Sequence, residues 1–208
     1  MKKRILPIPL ILLIPIVLLV VVVVAGVYRF SLTDEEILSK FPSHQLSSNS
    51  VMKEVFDVQS PNPWTVKVPE THAFAFIETV DHENQVASGR YDAGSQRGQL
   101  LVLTDTLTPV NDGKGYVAVM RVTSQGTGVF NYLSTFQYDQ QRERMVLVDS
   151  KLLGDRITIE AMEYLVPQVH VVLNQHAEGQ AMAEAPAEQV TLRFNVSNRN
   201  QLSLVKSI

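Results

Sequence analysis

The chain has 208 residues, a formal charge of −3, no Cys, and hydrophobic side chains at 45% of positions. The missing Cys excludes disulfides, Cys-ligated zinc and thiol catalysis together. Lys2, Lys3, Arg4 and Arg29 supply +4 before residue 30, so the remainder stands near −7. An acidic body does not suit nucleic acid or an anionic lipid surface as a partner.

Ile5 to Val27 is a run of Ile, Leu, Val and Pro, ending in Ala25-Gly26-Val27, with no charged residue. As a helix it reaches roughly 34 Å at about 1.5 Å per residue, enough to cross the hydrocarbon core of a bilayer. Lys2, Lys3 and Arg4 precede the run and only Arg29 closely follows it. This excess of positive charge places the N-terminus in the cytoplasm and the rest of the chain outside it. Residues 1–29 are thus expected to be a cytoplasmic tip and a transmembrane signal-anchor. A cleaved secretory signal is the alternative, with Val23-Val24-Ala25 as a tolerable cleavage site. A signal's apolar region is typically about 7–15 residues, and the longer run here favours an uncut anchor. Val24-Ala25-Gly26 looks like the start of a bacterial lipobox, but Val27 stands where the lipid-accepting Cys would be. Pro7 and Pro9 fit a first helical turn, and Pro15 removes a hydrogen bond to the Ile11 carbonyl and should bend the helix. The run offers no small-xxx-small seam and no ionisable residue, so neither a dimerisation stripe nor an ion pathway is indicated.

Residues 30–60 read as a short juxtamembrane helix and a linker. Thr33 can cap a helix with Glu36 three residues later, as in a capping box. That helix, Asp34–Phe41, stops at Pro42 and carries Ile37, Leu38 and Phe41 on one side. Ser43 to Ser50 reads as linker, and Val51–Val58 suits helix or strand equally. Pro61-Asn62-Pro63 is a turn, with Trp64 just beyond it.

Residues 61–208 read as an extracytoplasmic β domain. Strands are expected over Ala73–Val80, Gln85–Tyr91, Gln99–Thr106, Tyr116–Thr123, Val129–Tyr138 and Arg144–Ser150. The series continues over Arg156–Tyr164, Val169–Asn174, Val190–Val196 and Leu202–Lys206. Breakers such as Ala93-Gly94, Asn111-Asp112-Gly113, Gly126-Thr127-Gly128 and Asn198-Arg199-Asn200 separate them. Short strands at this spacing predict a mainly β fold, an antiparallel sandwich or curled sheet, beside the one N-terminal transmembrane helix and the short juxtamembrane helix. Thr191 to Val196 alternates, which points Leu192, Phe194 and Val196 at the core. Ala177–Gln189 interrupts the pattern as an exposed loop or a helical turn.

Gly126-Thr127-Gly128-Val129-Phe130 precedes Tyr132-Leu133, and Leu152-Leu153-Gly154-Asp155-Arg156-Ile157-Thr158-Ile159 comes later. His176 then leads to Met182 and Pro186, followed by Val190-Thr191-Leu192-Arg193-Phe194. Gly89-Arg90-Tyr91 before Leu100–Leu103 adds to the pattern. From Val86 to Val205 the chain resembles a β domain of uncharacterised bacterial envelope proteins and lipoproteins. In that family a Gly-rich turn and an aromatic strand precede an LGDR-type turn, a His…Met…Pro loop and a final strand. The resemblance implies an envelope location and assigns no activity. Members often carry an acidic Asp/Asn-Gly loop and a Cys near the Met-Pro loop. Here Pro109 to Gly115 keeps one acid, Asp112, and Ala183 and Glu184 stand near the Met-Pro loop. A calcium site needs six to eight oxygens, so that loop is not expected to hold the ion.

The sharpest local feature is Gly154-Asp155-Arg156. It reads as a tight turn in which Asp155 caps backbone N–H groups or pairs with Arg156. The competing reading makes Arg156 an anion contact for a ligand carboxylate or phosphate. His72, His82, His170 and His176 match no metal-ligand spacing, so no metal or other cofactor is expected. No Gly-x-Ser-x-Gly elbow, Ser-x-x-Lys motif or Gly-rich phosphate loop occurs. Glu160 and Glu163 read as exposed strand residues rather than a glycosidase pair, so no catalytic residue is assigned and no enzyme is expected. Trp64, Tyr91, Phe130, Tyr132, Phe136, Tyr138 and Phe194 read as core and rim aromatics. The sequence thus points to a single-pass protein of a bacterial cytoplasmic (inner) membrane, with an extracytoplasmic β domain that acts as a binding, accessory or assembly module on another envelope or membrane protein. A small-ligand sensor or carrier using Arg156 is the runner-up, and an envelope hydrolase the third choice.

Overall fold

The computed structural model describes residues 10–31 and 50–207, which divide between two units, Met1–His44 and Gln45–Ile208. The expected helix Asp34–Phe41, its cap at Thr33 and the linker residues 43–49 lie outside the described residues.

In the first unit, helix α1 (Leu10–Ser31) runs through Pro15. Leu, Ile and Val occupy all of its sides, and every large apolar side chain from Leu13 to Val27 lies open. Its described side chains run from residue 13 to residue 27, about 22 Å of helix at 1.5 Å per residue. Among the described residues no helix is long and apolar enough to cross a membrane.

The second unit opens with helix α2, residues 50–56, in the segment whose pattern suited helix or strand equally. Five strands and a 3₁₀ turn follow: β1 (Thr65–Lys67), β2 (Phe74–Phe76), β3 (Thr79–Asp81), β4 (Val86–Asp92), β5 (Arg97–Leu103) and the turn Thr104–Thr106. Next come β6 (Thr108–Val110), β7 (Gly115–Ser124), β8 (Val129–Asp139) and β9 (Arg144–Asp155). The chain ends with β10 (Thr158–Leu165), β11 (Gln168–Gln175), β12 (Glu188–Val196) and β13 (Leu202–Ser207). The mainly β expectation holds, and the first sheet is the curled one.

That sheet has the order β2-β1-β9-β8-β7-β5-β4-β3, with β6 added on β7. Its two end strands are successive parts of one extended segment. Ile77 N–H donates to the Trp64 carbonyl (2.9 Å), beside β1, while the next residue, Glu78, donates to the Ser88 carbonyl (2.9 Å) on β4. The sheet therefore curls almost into a barrel and leaves little free edge. The expected strand Ala73–Val80 is split at Ile77–Glu78 for this reason, because one segment serves both sides of the seam. Gly89 faces the seam, where a Cβ would collide with the Phe76 carbonyl oxygen.

The barrel interior is a packed core. Trp64, Phe136, Met52, Ile77, Leu100 and Met120 are fully buried there. Phe56 lies edge-on to Trp64 (4.7 Å between centroids) and Tyr116 (4.9 Å), and Trp64 edge-on to Phe136 (5.1 Å). Val51, Met52 and Phe56 bring α2 into this core. Tyr91 stands toward the far end of β7, opposite Gly98, and its hydroxyl donates to the Thr123 carbonyl (3.1 Å).

A second sheet, β10-β11-β12-β13, is a simple antiparallel meander. It buries Val169, Val171, Leu173, Phe194, Val196 and Leu202 against Val117, Val119 and Leu133 on the outer face of the barrel. Phe194 and Val196 are buried and Leu192 packs against them, as the alternation requires. β7 is thus apolar in both phases, with Ala118, Met120 and Val122 inward and Val117 and Val119 outward.

Strand β9 extends five residues beyond its expected end at Ser150, to Asp155. Its register against β8 shifts twice, between Asn131 and Tyr132 and between Thr135 and Phe136. A bulge reverses the faces of a strand. Leu147 can therefore face the barrel core while Asp149 faces the second sheet, where its carboxylate accepts Leu202 N–H (2.9 Å). Asn200, 1% exposed, sits beside it. Its carboxamide accepts from Asn111 Nδ2 (2.6 Å) and donates to Gln137 Oε1 (3.1 Å), and its carbonyl accepts from Thr135 Oγ1 (2.5 Å). The two strands absent from the sequence expectation, β1 and β6, have three residues each, too short for a period to show. Within 177–187 the chain forms turns.

Candidate functional site

Arg156 follows β9 with φ of 50°. Its backbone N–H donates to the Val129 carbonyl (2.8 Å), and the Asp155 carboxylate returns the link by accepting Val129 N–H (2.7 Å). The guanidinium lies 3.4 Å from Asp155 and 3.4 Å from Thr127 Oγ1. Gly154-Asp155-Arg156 thus staples the end of β9 to the start of β8, as a capping turn would. None of the recesses described below is lined by Arg156.

The histidines are scattered. His82 pairs with Glu54, joining the β3–β4 turn to α2. His170 Nε2 lies 3.4 Å from Gln168 Oε1, and His176 Nε2 lies 3.0 Å from the Glu184 carbonyl. Among the described residues there is no group of three or more His, Asp and Glu able to hold a metal ion. Asn111-Asp112-Gly113 is the β6–β7 turn, with all three residues at positive φ, and Asn111 is bound to Asn200. Glu160 and Glu163 are exposed on β10.

Of the aromatics singled out, Trp64, Tyr91, Tyr132, Phe136 and Phe194 are buried, and Phe130 is 38% exposed. Burial pushes the phenols of Tyr91 and Tyr132 up, and the Glu70 carboxylate adds to the effect at Tyr132. They form no open stacking platform.

The most enclosed of the described recesses lies between the barrel wall and the free edge of β10, with a volume of about 320 Å³. Its charged lining is Arg121, Asp105 and Glu160, and its apolar lining includes Leu103, Ile159 and Met162. Arg121 is on β7, paired with Leu101 of β5 and Asn131 of β8. Its Nε donates to Asn131 Oδ1 (3.2 Å). Asn131 is completely buried, and its Nδ2 donates to the Val129 carbonyl (3.1 Å). The guanidinium is thereby held from behind, and among the described residues nothing else bonds it.

Sequence reasoning passed over Arg121, though one signal was present. Val117, Val119 and Arg121 occupy alternate positions of β7, so the cation falls in the phase of an apolar face. Asn131 does the same on β8, in phase with Leu133. A second recess of about 380 Å³, lined by Glu70, His72 and Asp92 among others, is more open, and Asp92 there is paired with Arg97 (2.8 Å).

No protein-family model, no curated protein and no solved structure matches the chain.

Proposed function

We propose that the chain is a single-pass protein of a bacterial cytoplasmic membrane, with its N-terminus inside and its β unit outside, acting as a binding or assembly module on another envelope or membrane protein. The observation that carries this reading is α1, a helix apolar on every side whose side chains from Leu13 to Val27 lie open. A helix of that kind needs apolar surroundings, and lipid supplies them. The uncharged run from Ile5 to Val27, longer than α1's described side chains, gives the length for a span, and Lys2, Lys3 and Arg4 give its direction.

Binding rather than internal transport is supported by the filled barrel. Small β-barrels carry ligands when their interior is hollow, and here Trp64, Phe136 and Met120 occupy it. No reaction is assigned to the chain.

Gentle solubilisation of native membranes followed by purification of the full chain tests the proposal. A companion protein in constant ratio is the expected result. Recovery of the chain alone under several mild detergents would contradict it.

A further inference from the structure

Going beyond the module reading, we propose that the recess between the barrel wall and β10 is a binding site for a small zwitterion of amino-acid chemistry with an apolar side chain. Three features of the recess select that chemistry. The first is the cation. Arg121 lines the recess and spends its Nε on Asn131 (3.2 Å), which leaves both Nη groups without a protein partner among the described residues. A guanidinium fixed in this way offers two parallel donors to a carboxylate. Asn131 is itself completely buried and tied to the Val129 carbonyl, so the donor set is positioned before any ligand arrives.

The second feature is the pair of acids. Asp105, on the 3₁₀ turn, and Glu160, at the register shift of β10, line the same recess. Glu160 accepts only from Asn174 Nδ2 (2.8 Å), and Asp105 has no side-chain bond among the described residues. Two carboxylates lining one recess with a single guanidinium would repel a simple anion and attract an ammonium group. The third feature is the apolar wall of Leu103, Ile159 and Met162, which would receive an aliphatic or thioether side chain. A volume of about 320 Å³ is at the small end of ligand pockets and has room for an amino acid.

Arg156 lies outside this recess, at the turn after β9, with Asp155 and Thr127 each 3.4 Å from its guanidinium.

Calorimetric titration of the full chain in detergent with L-leucine and L-methionine tests the site, alongside leucinamide, N-acetyl-leucine and inorganic phosphate. Saturable binding of the free amino acids is expected, with the amide and the acetylated form each weaker by about tenfold or more. Arg121→Gln should abolish binding and Arg156→Gln should leave it unchanged. Should Arg121→Gln fail to fold, Asp105→Asn and Met162→Trp decide, the one removing the ammonium contact and the other filling the recess. No saturable heat from either amino acid at millimolar concentration would overturn the proposal. So would phosphate binding as tightly as leucine, or leucine binding that survives both Asp105→Asn and Met162→Trp.

Discussion

Trp64 shows how one side chain can be both the centre of a core and a local defect. It is completely buried between Phe56 and Phe136, yet among the described residues its indole N–H has no partner. Truncating a large buried aromatic leaves a cavity, so Trp64→Ala should lower stability by about 3–5 kcal/mol. Trp64→Phe removes volume and the orphan donor together, and an unsatisfied buried donor carries a penalty of about 1–3 kcal/mol. Its loss should be well under half that of Trp64→Ala, measured as the shift in urea midpoint. Equal losses would contradict this. Asp139 makes a prediction in pH. The backbone N–H of Arg142 (3.1 Å), helped by its guanidinium (2.9 Å) and by Gln141 N–H (3.0 Å), holds the Asp139 carboxyl below the usual carboxylate range. The folded state therefore favours the charged form. This contribution is complete above the unfolded value of about 3.9 and is lost as pH falls through the lower folded value. Asp81, lowered first by the side-chain hydrogen bond from Asn84, has the same sign. Between about pH 5 and pH 3 the urea midpoint should fall, and the double variant Asp81→Asn, Asp139→Asn should flatten that fall. An unchanged slope would contradict it.

At the scale of elements, the barrel seam and the joint between the two sheets each hang on one small group. Gly89→Ala places a methyl against the Phe76 carbonyl on a segment bonded to both β1 and β4. Overpacking of this kind costs about 1–3 kcal/mol. A midpoint equal to the wild type would mean that the seam can open at no penalty. At the joint, Asn200→Ala strands Asn111 and Gln137 and removes a residue type that tolerates φ of 57°. A loss of about 1–3 kcal/mol is expected, read from the same denaturation curve. The sequence disclosed these elements unevenly. Thr191 to Val196 announced its buried face because a strand covered on one side alternates. The seam at Ile77–Glu78 did not show, since Ala73–Val80 is apolar or β-forming except at Glu78, and no residue carries a mark of which partner it bonds. Three-residue β1 and β6 were below the length at which a period appears. The bulges in β9 are set by pairing with β8, which no local pattern records. For the same reason Arg156, flagged by its Gly-Asp neighbours, was the easier arginine to notice. Arg121 acquired its character from Asn131 and β10, which are distant or opposite in the chain.

For the whole molecule, a bare apolar helix and an acidic β unit with a filled barrel make sense together if lipid covers the first and the second works outside the cytoplasm. The absence of Cys makes the topology directly measurable, since each introduced thiol is the sole one. The full chain carrying Lys3→Cys or Glu178→Cys can be treated in intact spheroplasts with a membrane-impermeant maleimide. Glu178→Cys should be labelled at once and Lys3→Cys only after permeabilisation. Labelling of Lys3→Cys in intact spheroplasts with Glu178→Cys protected, or protection of both until the membrane is broken, would contradict the proposed placement.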